Sequence, residues 1–565
     1  MPGSKSLGSA ALRRYFMIEI KKRVSYAGAF SVVLLLFCAA LVFVIPACKK
    51  TPAPQNFILI TLDTLRADYV SAYSRQNAAT PNLDFLAGQG TLYKNAYCLI
   101  PITLPSHASI FFSEPPTLLK NYNNGQIFHP KRGSPSFVNL FKKNGFSTAA
   151  FVSLGVLASR FGLDQGFDSY AEEFPERRWY LTAGEVNQKV FAWLDAHKGQ
   201  KFFLWIHYSD PHDPYAPPNT PDDTTVFFNN RLVGQFCLNK YLVEDIEVEL
   251  KRGKNEIRFE VDNLHAASPN TYQARLDRLE FTPPNNQKDL QIEFVKDQWY
   301  IRKEEAVYFF KKEGTLIILN LAGPRKFKMT FRGKLVCPPE VTKNNYKSEV
   351  VYMDNEIGRL WEKLRSLDLL ENSAILAVGD HGEGLGEYLT GGLTFGDRHF
   401  GHIHFLYNIY MKIPLLLYHP LERRKGEARE EPVTLLDIGP TIADIMGFPI
   451  LPHSQGKSLL RLKKGEQREI FEETYRPEAV WDKFGLLSFP WHVVFTPEDR
   501  FYEIFNLVDD PREEQNLAQE PSLPRAALDL KQKLNTLARE ALKNKVEIKI
   551  DKKTEEMLRA LGYVK

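Results

Sequence analysis

Two apolar segments far apart in the chain most constrain its fold. Residues 57–62 (Phe-Ile-Leu-Ile-Thr-Leu) form an unbroken run that ends at Asp63. Residues 374–378 (Ala-Ile-Leu-Ala-Val) form a second run, closely followed by Asp380 and His381. Continuous apolar strands are typical of a sheet covered on both faces, and open α/β sheets bind ligands at the carboxyl ends of their strands. We therefore expect an α/β fold in which Asp63, Asp380 and His381 are candidate metal ligands.

The chain is long enough to hold more than this sheet. Its 565 residues correspond to about three or four ordinary domains, although one large α/β core can absorb much of that length. The hydrophobic share of 44% and the charged share of 25% exclude a disordered chain and a multi-span membrane protein. Five cysteines are too few for a disulfide scaffold.

The first fifty residues have the pattern of an export signal. Residues 21–23 (Lys-Lys-Arg) precede an apolar run over residues 26–47, which is followed by Cys48. A basic region, an apolar region and small residues in this order are typical of secretion. Residues 45–48 (Ile-Pro-Ala-Cys) resemble a bacterial lipobox, with Cys48 as the lipidation site. The run is also long enough to stay as a membrane anchor, and a buried core helix is the third interpretation.

Either of the first two interpretations places the folded part outside the cytoplasm. It would be anchored through its N-terminus to the bacterial cell envelope, facing the periplasm or the outer surface. Residues 1–47 hold six basic residues against one Glu, so the formal charge of +4 becomes −1 for residues 48–565. The basicity therefore belongs to the export signal, and without a basic, aromatic-rich stripe we expect no nucleic-acid partner.

A Pro-Ser-His segment lies between the two strand ends. Residues 103–109 read Thr-Leu-Pro-Ser-His-Ala-Ser, and Ser106 or Ser109 is expected to cap a following helix. Thr103 would then lie near a helix N-terminus, where an anionic group is favoured. An ordinary capped helix is the alternative.

The motifs in order resemble the sulfatase family of the alkaline phosphatase superfamily over most of the chain. They are Asp63, Leu65–Asp68, Thr80–Asp84, Thr103–His107, Gly166–Asp168, Asp210–Tyr215, Asp380–Glu383, Gly401–His402, Leu406–Tyr407, Leu436–Thr441, Tyr502–Leu507, Asp510–Pro511 and Leu558–Tyr563. The resemblance implies a mixed sheet sandwiched by helices. It also implies one divalent metal ion (Ca, Mg, Mn or Zn), with Asp63, Asp380, His381 and Thr103 as ligands.

The resemblance also assigns catalytic roles. Thr103 is the nucleophile on the metal. His107 replaces the usual Arg of the motif and either orients Thr103 or has a packing role. His212 and His402 hold substrate oxygens or protonate the leaving group; alternatively, His212 closes a Pro-rich turn.

Three further histidines lie near these motifs. His399 and His404 flank His402 and are either ligands of a second metal or polar loop residues. His207, on an aromatic strand, is assigned to the core.

Three departures from the family pattern bear on the reaction. Thr103 occupies the position of the Cys or Ser that sulfatases oxidise to formylglycine, Thr64 stands where many have another Asp, and residues 151–155 lack the Lys that grips sulfate. The expected activity is metal-dependent hydrolysis of a sulfate, phosphate or phosphonate ester, with the anionic substrate on a glycan or lipid. The alternatives are a phosphoethanolamine-type transferase acting on a surface glycan or lipid, and a non-catalytic glycan-binding protein on this scaffold.

An inserted segment interrupts the α/β pattern. Short alternating strands over residues 219–342 predict a β-sandwich, with a hairpin turn at Gly253 between strands at 246–250 and 257–261. The sandwich either binds a glycan or partner, or is a structural insertion that shapes the cleft or an oligomer contact. Cys237 and Cys337 could pair in an oxidising compartment.

The predicted organisation has five parts. These are the signal or anchor at 1–48, the catalytic domain at 55–218 and 343–455, the insertion at 219–342, and a small α+β subdomain at 456–565. A helix over 351–370 is expected to lead into the Asp380 strand, and a solvated helix is expected from Arg525.

Overall fold

The structure is a computed structural model that describes most of the chain after the N-terminal segment. The described residues are 54–127, 134–175, 178–213, 215–218, 220–240, 242–262, 272–284, 288–303, 306–336, 339–389, 398–420, 425–475, 481–546 and 550–560. The predicted export segment, Cys48 and Cys337 lie outside them. None of the helices within these ranges has both the length and the apolar character needed to cross a bilayer.

The first part of the chain contributes six strands and five helices. The strands are β1 (Asn56–Leu62), β2 (Thr91–Tyr93), β3 (Ala96–Tyr97), β4 (Ser147–Phe151), β5 (Ser169–Ala171) and β6 (Phe202–Tyr208). The helices are α1 (Pro81–Gln89), α2 (Thr103–Phe112), α3 (Pro116–Leu119), α4 (Val138–Lys143) and α5 (Ala183–His197).

The inserted segment contributes ten strands. They are β7 (Thr224–Phe228), β8 (Arg231–Phe236), β9 (Glu244–Leu250), β10 (Gly253–Val261), β11 (Ala274–Thr282), β12 (Leu290–Phe294), β13 (Trp299–Arg302), β14 (Val307–Phe310), β15 (Glu313–Asn320) and β16 (Arg325–Leu335). They form two five-stranded sheets in the orders β12-β15-β10-β7-β8 and β13-β14-β11-β16-β9. Both sheets bury apolar side chains, among them Phe259 and Met329, in one shared core. The predicted β-sandwich is therefore present.

The predicted hairpin at Gly253 is wrong. β9 pairs with β16 in one sheet, whereas β10 pairs with β7 and β15 in the other. The chain crosses between the two sheets here, and the Asn255 amide donates to the backbone carbonyl of Lys251 (2.8 Å) within this connection. Alternation of apolar residues predicts that a strand has one buried face, but it does not specify the neighbour.

The remaining strands and helices complete the α/β part and add a C-terminal sheet. They are α6 (Pro339–Ser366), β17 (Ser373–Gly379), β18 (Gly384–Leu389), β19 (Arg398–Gly401), α7 (Asn408–Met411), β20 (Lys412–Ile413), β21 (Leu415–Tyr418), β22 (Glu427–Arg429), β23 (Val433–Thr434), α8 (Ile438–Met446), β24 (Ile470–Thr474), β25 (Lys483–Ser488), β26 (Trp491–Thr496), β27 (Phe501–Asn506), α9 (Arg525–Asn544) and α10 (Lys552–Ala560). Helix α6 leads towards β17 as expected, but it begins twelve residues before the predicted start.

The central sheet places β1 between two parallel neighbours. Its eight described strands run in the order β22-β2-β21-β17-β1-β6-β4-β5, and β1 is parallel to both β17 and β6. Alternate side chains of β1 enter opposite layers: Leu59 packs with α2 and α8 in one core, and Ile60 packs with α5 and α6 in the other. The predicted mixed sheet between helices is therefore present.

The C-terminal segment forms an antiparallel sheet in the order β24-β25-β26-β27. The predicted solvated helix corresponds to α9, but its apolar face is buried against this sheet, with Leu530 and Leu534 packed near Phe484. The predicted helix is therefore present, but only one of its faces is solvated. Residues 53–565 group as one compact unit, so the predicted boundaries within that part stay predictions.

Candidate active site

Three candidate ligands meet at the carboxyl ends of β1 and β17. The in-register pairing of Leu62 with Gly379 places Asp63 and Asp380 side by side, one residue beyond each strand. Both carboxyl groups and His381 are fully buried, and one potential ligand atom from each lies within 4.8 Å of the others. The topology therefore brings together residues more than 300 positions apart.

The donor set fits a divalent cation. Among the described residues, Oδ1 of Asp63 and Oδ2 of Asp380 have no hydrogen-bond partner, which is costly for buried carboxylates unless a ligand compensates. Nδ1 of His381 lies 3.0 Å from the carbonyl oxygen of Gly382 and donates to it, so Nε2 carries the lone pair that a metal needs. Two oxygens and one imidazole nitrogen suit a divalent ion.

The two carboxyl groups titrate in opposite directions. Burial works against ionisation of Asp63, but the hydrogen bond with His207 and the nearby His212 hold its pKa well below the usual range. Burial and the charge of Asp63 raise the pKa of Asp380 well above its usual range. Two buried carboxylates this close repel each other, and a cation between them removes that repulsion.

Thr103 is the first residue of α2 and faces this cluster. Its Oγ1 lies 3.4 Å from Nε2 of His381. The expected position at a helix N-terminus is observed, but the predicted serine cap is wrong: Ser106 donates its hydroxyl to the carbonyl of Ile100 (2.7 Å). The N-terminal end of a helix favours negative charge, which suits an attacking oxygen and an anionic substrate.

His107 holds the backbone of Thr103, not its hydroxyl. Burial and the neighbouring His207 lower the pKa of His107 to about 3, so the ring is neutral. Its Nδ1 donates to the carbonyl of Thr103 (2.8 Å), and its Nε2 accepts from the hydroxyl of Thr61 (3.0 Å). Thr61 in turn accepts from the indole N–H of Trp205 (2.9 Å). This chain of hydrogen bonds ties the start of α2 to strands β1 and β6.

His212 and His402 lie next to the cluster. Their ring centroids are 5.4 Å apart, and the ring of His402 is 4.4 Å from that of His381. Nδ1 of His402 lies 3.1 Å from Oε2 of Glu383, whose pKa burial raises to about 8. The structure therefore brings both predicted histidines to the metal cluster.

His207 belongs to the site, contrary to its sequence assignment. The residue is fully buried, as a core residue would be, but Nε2 lies 3.2 Å from Oδ2 of Asp63. The backbone N–H of Ser153 donates to Nδ1 of His207, so Nε2 carries the proton and donates to Asp63. The only signal in the sequence was its place near the end of a third apolar strand.

The two remaining departures in sequence have structural roles. Thr64, which replaces an Asp, donates its backbone N–H to Oδ1 of Asp380 (3.1 Å) and its hydroxyl to the carbonyl of Pro211 (2.8 Å). Its φ of 54° is rare for a β-branched residue. Ser153, in the stretch without the expected Lys, holds His207.

The other predicted sites have less support. The rings of His399 and His404 are 4.9 Å apart, but within the described ranges only Asp63, Asp380 and His381 form a group suited to a metal. Cys237 is a buried free cysteine; because Cys337 lies outside the described residues, their pairing stays a prediction.

A sheet with helices on both faces, and with a threonine hydroxyl facing Asp and His at its strand ends, defines a sulfatase-like ester hydrolase. The chain belongs to the sulfatase family, whose pattern matches residues 55–448. Residues 396–540 also match the C-terminal region of N-sulphoglucosamine sulphohydrolase.

The individual relatives have low sequence identity to this chain but match most of its length. N-acetylglucosamine-6-O-sulfatase from Bacteroides thetaiotaomicron is 22% identical over 510 residues, covering 84% of each chain. A structure in complex with its substrate D-glucosamine-2-N,6-O-disulfate has a TM-score of 0.55 at 16% identity and covers 87% of this chain and 99% of its own. Phosphonate monoester hydrolase of Agrobacterium radiobacter has a TM-score of 0.56 at 15% identity, covering 86% and 96%.

Proposed function

We propose that this protein hydrolyses phosphate, phosphonate or sulfate esters with one divalent metal ion and Thr103 as the nucleophile. The observation that supports this most is the buried group of Asp63, Asp380 and His381, with Oγ1 of Thr103 3.4 Å from His381. A cation held there would lower the pKa of the Thr103 hydroxyl and polarise the non-bridging oxygens of the ester.

The surrounding residues position the reacting groups and stabilise the developing charge. His107 fixes the backbone of Thr103 through its carbonyl, so that the hydroxyl starts close to the ester. His212 and His402 stabilise the charge that develops on the non-bridging and leaving oxygens, and protonate the leaving group. Thr64 and His207 keep the two carboxylates in place.

Thr103 favours phosphorus over sulfur. A formylglycine hydrate expels sulfate by collapsing to the aldehyde, and a threonine sulfate ester has no such route. A phosphothreonine can be hydrolysed by water. We therefore place phosphate and phosphonate esters before sulfate esters.

The substrate is proposed to be an anionic ester on a glycan. This rests on the names of the relatives, one of which acts on N-acetylglucosamine-6-O-sulfate groups and another of which is bound to a glucosamine disulfate. We also propose an exported protein attached to the bacterial envelope by Cys48 or by the apolar run before it, which would expose the hydrolase to surface glycans.

The test is turnover by the full-length protein, purified in detergent and loaded with Ca²⁺, Mg²⁺, Mn²⁺ or Zn²⁺ in turn. The substrates are aryl phosphate, phosphodiester, phosphonate and sulfate esters. We expect metal-dependent turnover that is abolished in Thr103→Ala and kept in the matched control Thr225→Ala, in the sandwich. Undiminished activity of Thr103→Ala, or metal-free activity, would refute the proposal.

A further inference from the structure

One face of the sandwich carries an exposed cluster of aromatic rings. Tyr300 is 46% exposed and Tyr272 is 39% exposed, and their ring centroids are 5.8 Å apart. Phe309 completes the cluster, with its centroid 6.0 Å from Tyr300 and 6.4 Å from Tyr272. Single exposed aromatic residues are ordinary, but a contiguous group marks an interaction site.

Tyr300 and Phe309 belong to a row of side chains that crosses four strands. Tyr300 of β13 pairs with Phe309 of β14, Phe309 pairs with Arg275 of β11, and Arg275 pairs with Lys334 of β16. Directly paired residues share one face of a sheet. Since neighbouring strands lie about 4.8 Å apart, the row extends over about 14 Å. That length suits several linked sugar rings rather than one.

The row has cationic side chains as well as rings. The guanidinium of Arg302 lies 5.4 Å from the centroid of Phe309, Arg275 pairs with Phe309, and Lys334 follows Arg275 along the row. Aromatic faces combined with cations match a ligand that is both ring-shaped and anionic.

The row ends next to the segment that carries His212. Nζ of Lys334 lies 3.3 Å from Oδ1 of Asp213, the residue directly after His212. A chain bound along the row would therefore reach this segment.

We propose that the row from Tyr300 to Lys334 binds an anionic oligosaccharide and presents its esterified end to the metal cluster. The proposal deepens the proposed function and rests on it for the identity of the bound ester. Binding along this face does not require turnover, so the two can fail separately.

The test compares full-length Tyr300→Ala and Tyr300→Phe with wild type. The matched control is Trp481→Ala, which removes an aromatic side chain of the C-terminal subdomain that is 50% exposed. Binding of sulfated and phosphorylated oligosaccharides, and of their uncharged counterparts, is measured by titration calorimetry. Turnover is measured on an aryl ester and on the ester-bearing oligosaccharide.

Tyr300→Ala should weaken binding of the charged oligosaccharide and raise its KM by about tenfold, as expected for an aromatic anchor. Its kcat and the aryl ester turnover should not change. Tyr300→Phe and Trp481→Ala should match wild type.

Wild-type protein that binds none of the oligosaccharides, or Tyr300→Ala that binds them equally well, overturns the inference; the second result would leave the face to a protein partner or a structural role. If no ester is turned over but Tyr300→Ala still loses binding, the proposed function fails, and only the binding of the oligosaccharide along the row stands.

Discussion

Thr61 of β1 and His207 of β6 are directly paired residues, and both side chains face the start of α2. Thr61 donates to Nε2 of His107 (3.0 Å), and the ring of His207 lies 5.0 Å from that of His107. One pair of neighbouring residues therefore serves two parts of the site. Thr61 supports the helix that begins at Thr103, and His207 supports the candidate ligand Asp63.

Replacing His207 should weaken metal binding without removing a ligand. His207→Ala leaves Oδ2 of Asp63 without its donor, and loss of a group that orients a ligand typically lowers metal affinity by about 10- to 100-fold. Excess metal should restore much of the turnover, and His207→Gln should recover part of the affinity. His197→Gln, on α5, is the control. Unchanged metal affinity in His207→Ala would contradict the assigned role.

Asp380→Asn should raise the stability of the metal-free protein but reduce the stability gained from metal binding. In metal-free protein, burial and the charge of Asp63 disfavour the ionised form of Asp380, and asparagine carries no charge, so the free energy of unfolding should rise. Wild type should gain about 2.7 kcal/mol when the metal is at 100 times its Kd, and the variant should gain much less. Chemical denaturation with chelator and with added metal measures both values. A metal-free variant less stable than metal-free wild type would count against carboxylate repulsion.

The C-terminal sheet should lose stability in alkaline solution. His492 lies between two buried carboxylates, with Nδ1 2.5 Å from Oε1 of Glu513 and Nε2 3.0 Å from Oε2 of Glu472. Burial lowers the pKa of His492, but these two carboxylates outweigh it and raise the pKa to about 10, from 6.5. A raised pKa gives stability that is complete below pH 6.5 and lost as pH rises towards 10.

Chemical denaturation between pH 6.5 and 10 should show this loss. The contribution of His492 falls by at most about 1.4 kcal/mol per pH unit. The curve for His492→Gln should be flatter than that for wild type, while His453→Gln, at a half-buried position, should follow wild type. Parallel curves for wild type and His492→Gln would contradict the expected titration.

Leu59→Ala should destabilise the whole α/β body. Leu59 is fully buried in the middle of β1, and leucine-to-alanine changes in such cores cost about 2–5 kcal/mol. The measurement is the free energy of unfolding. Val508→Ala, at a position 61% exposed, should change it by less than about 0.5 kcal/mol. Equal effects would mean that β1 is not central to the fold.

Local sequence was enough to predict that Asp63, Asp380 and His381 lie close together. The apolar runs before Asp63 and Asp380 define strand ends, and strand ends of a parallel sheet meet at one edge. Thr64 was interpreted only as a missing ligand, because its backbone bond to Asp380 depends on a left-handed φ that its sequence neighbours do not indicate.

His207 was missed for a different reason. An aromatic strand predicts burial, but only its register with β1 shows that His207 points to Asp63. The prediction of a hairpin at Gly253 failed for the same reason, because sheet partners far apart in sequence decide which strands are neighbours. The periodicity of apolar residues predicts the buried face of each strand, whereas the pairing of strands depends on residues far apart in the chain.

The parallel pairing of β1 with β17 joins Asn56 to Ser373, and almost all of the chain between them must be accommodated before the two strands meet. Pairing across such a sequence separation is slow, because loop-closure entropy is lost before the contacts compensate for it. We therefore expect the two halves of the candidate metal cluster to come together late in folding. Metal uptake by a refolding chain would then report when the central sheet is complete.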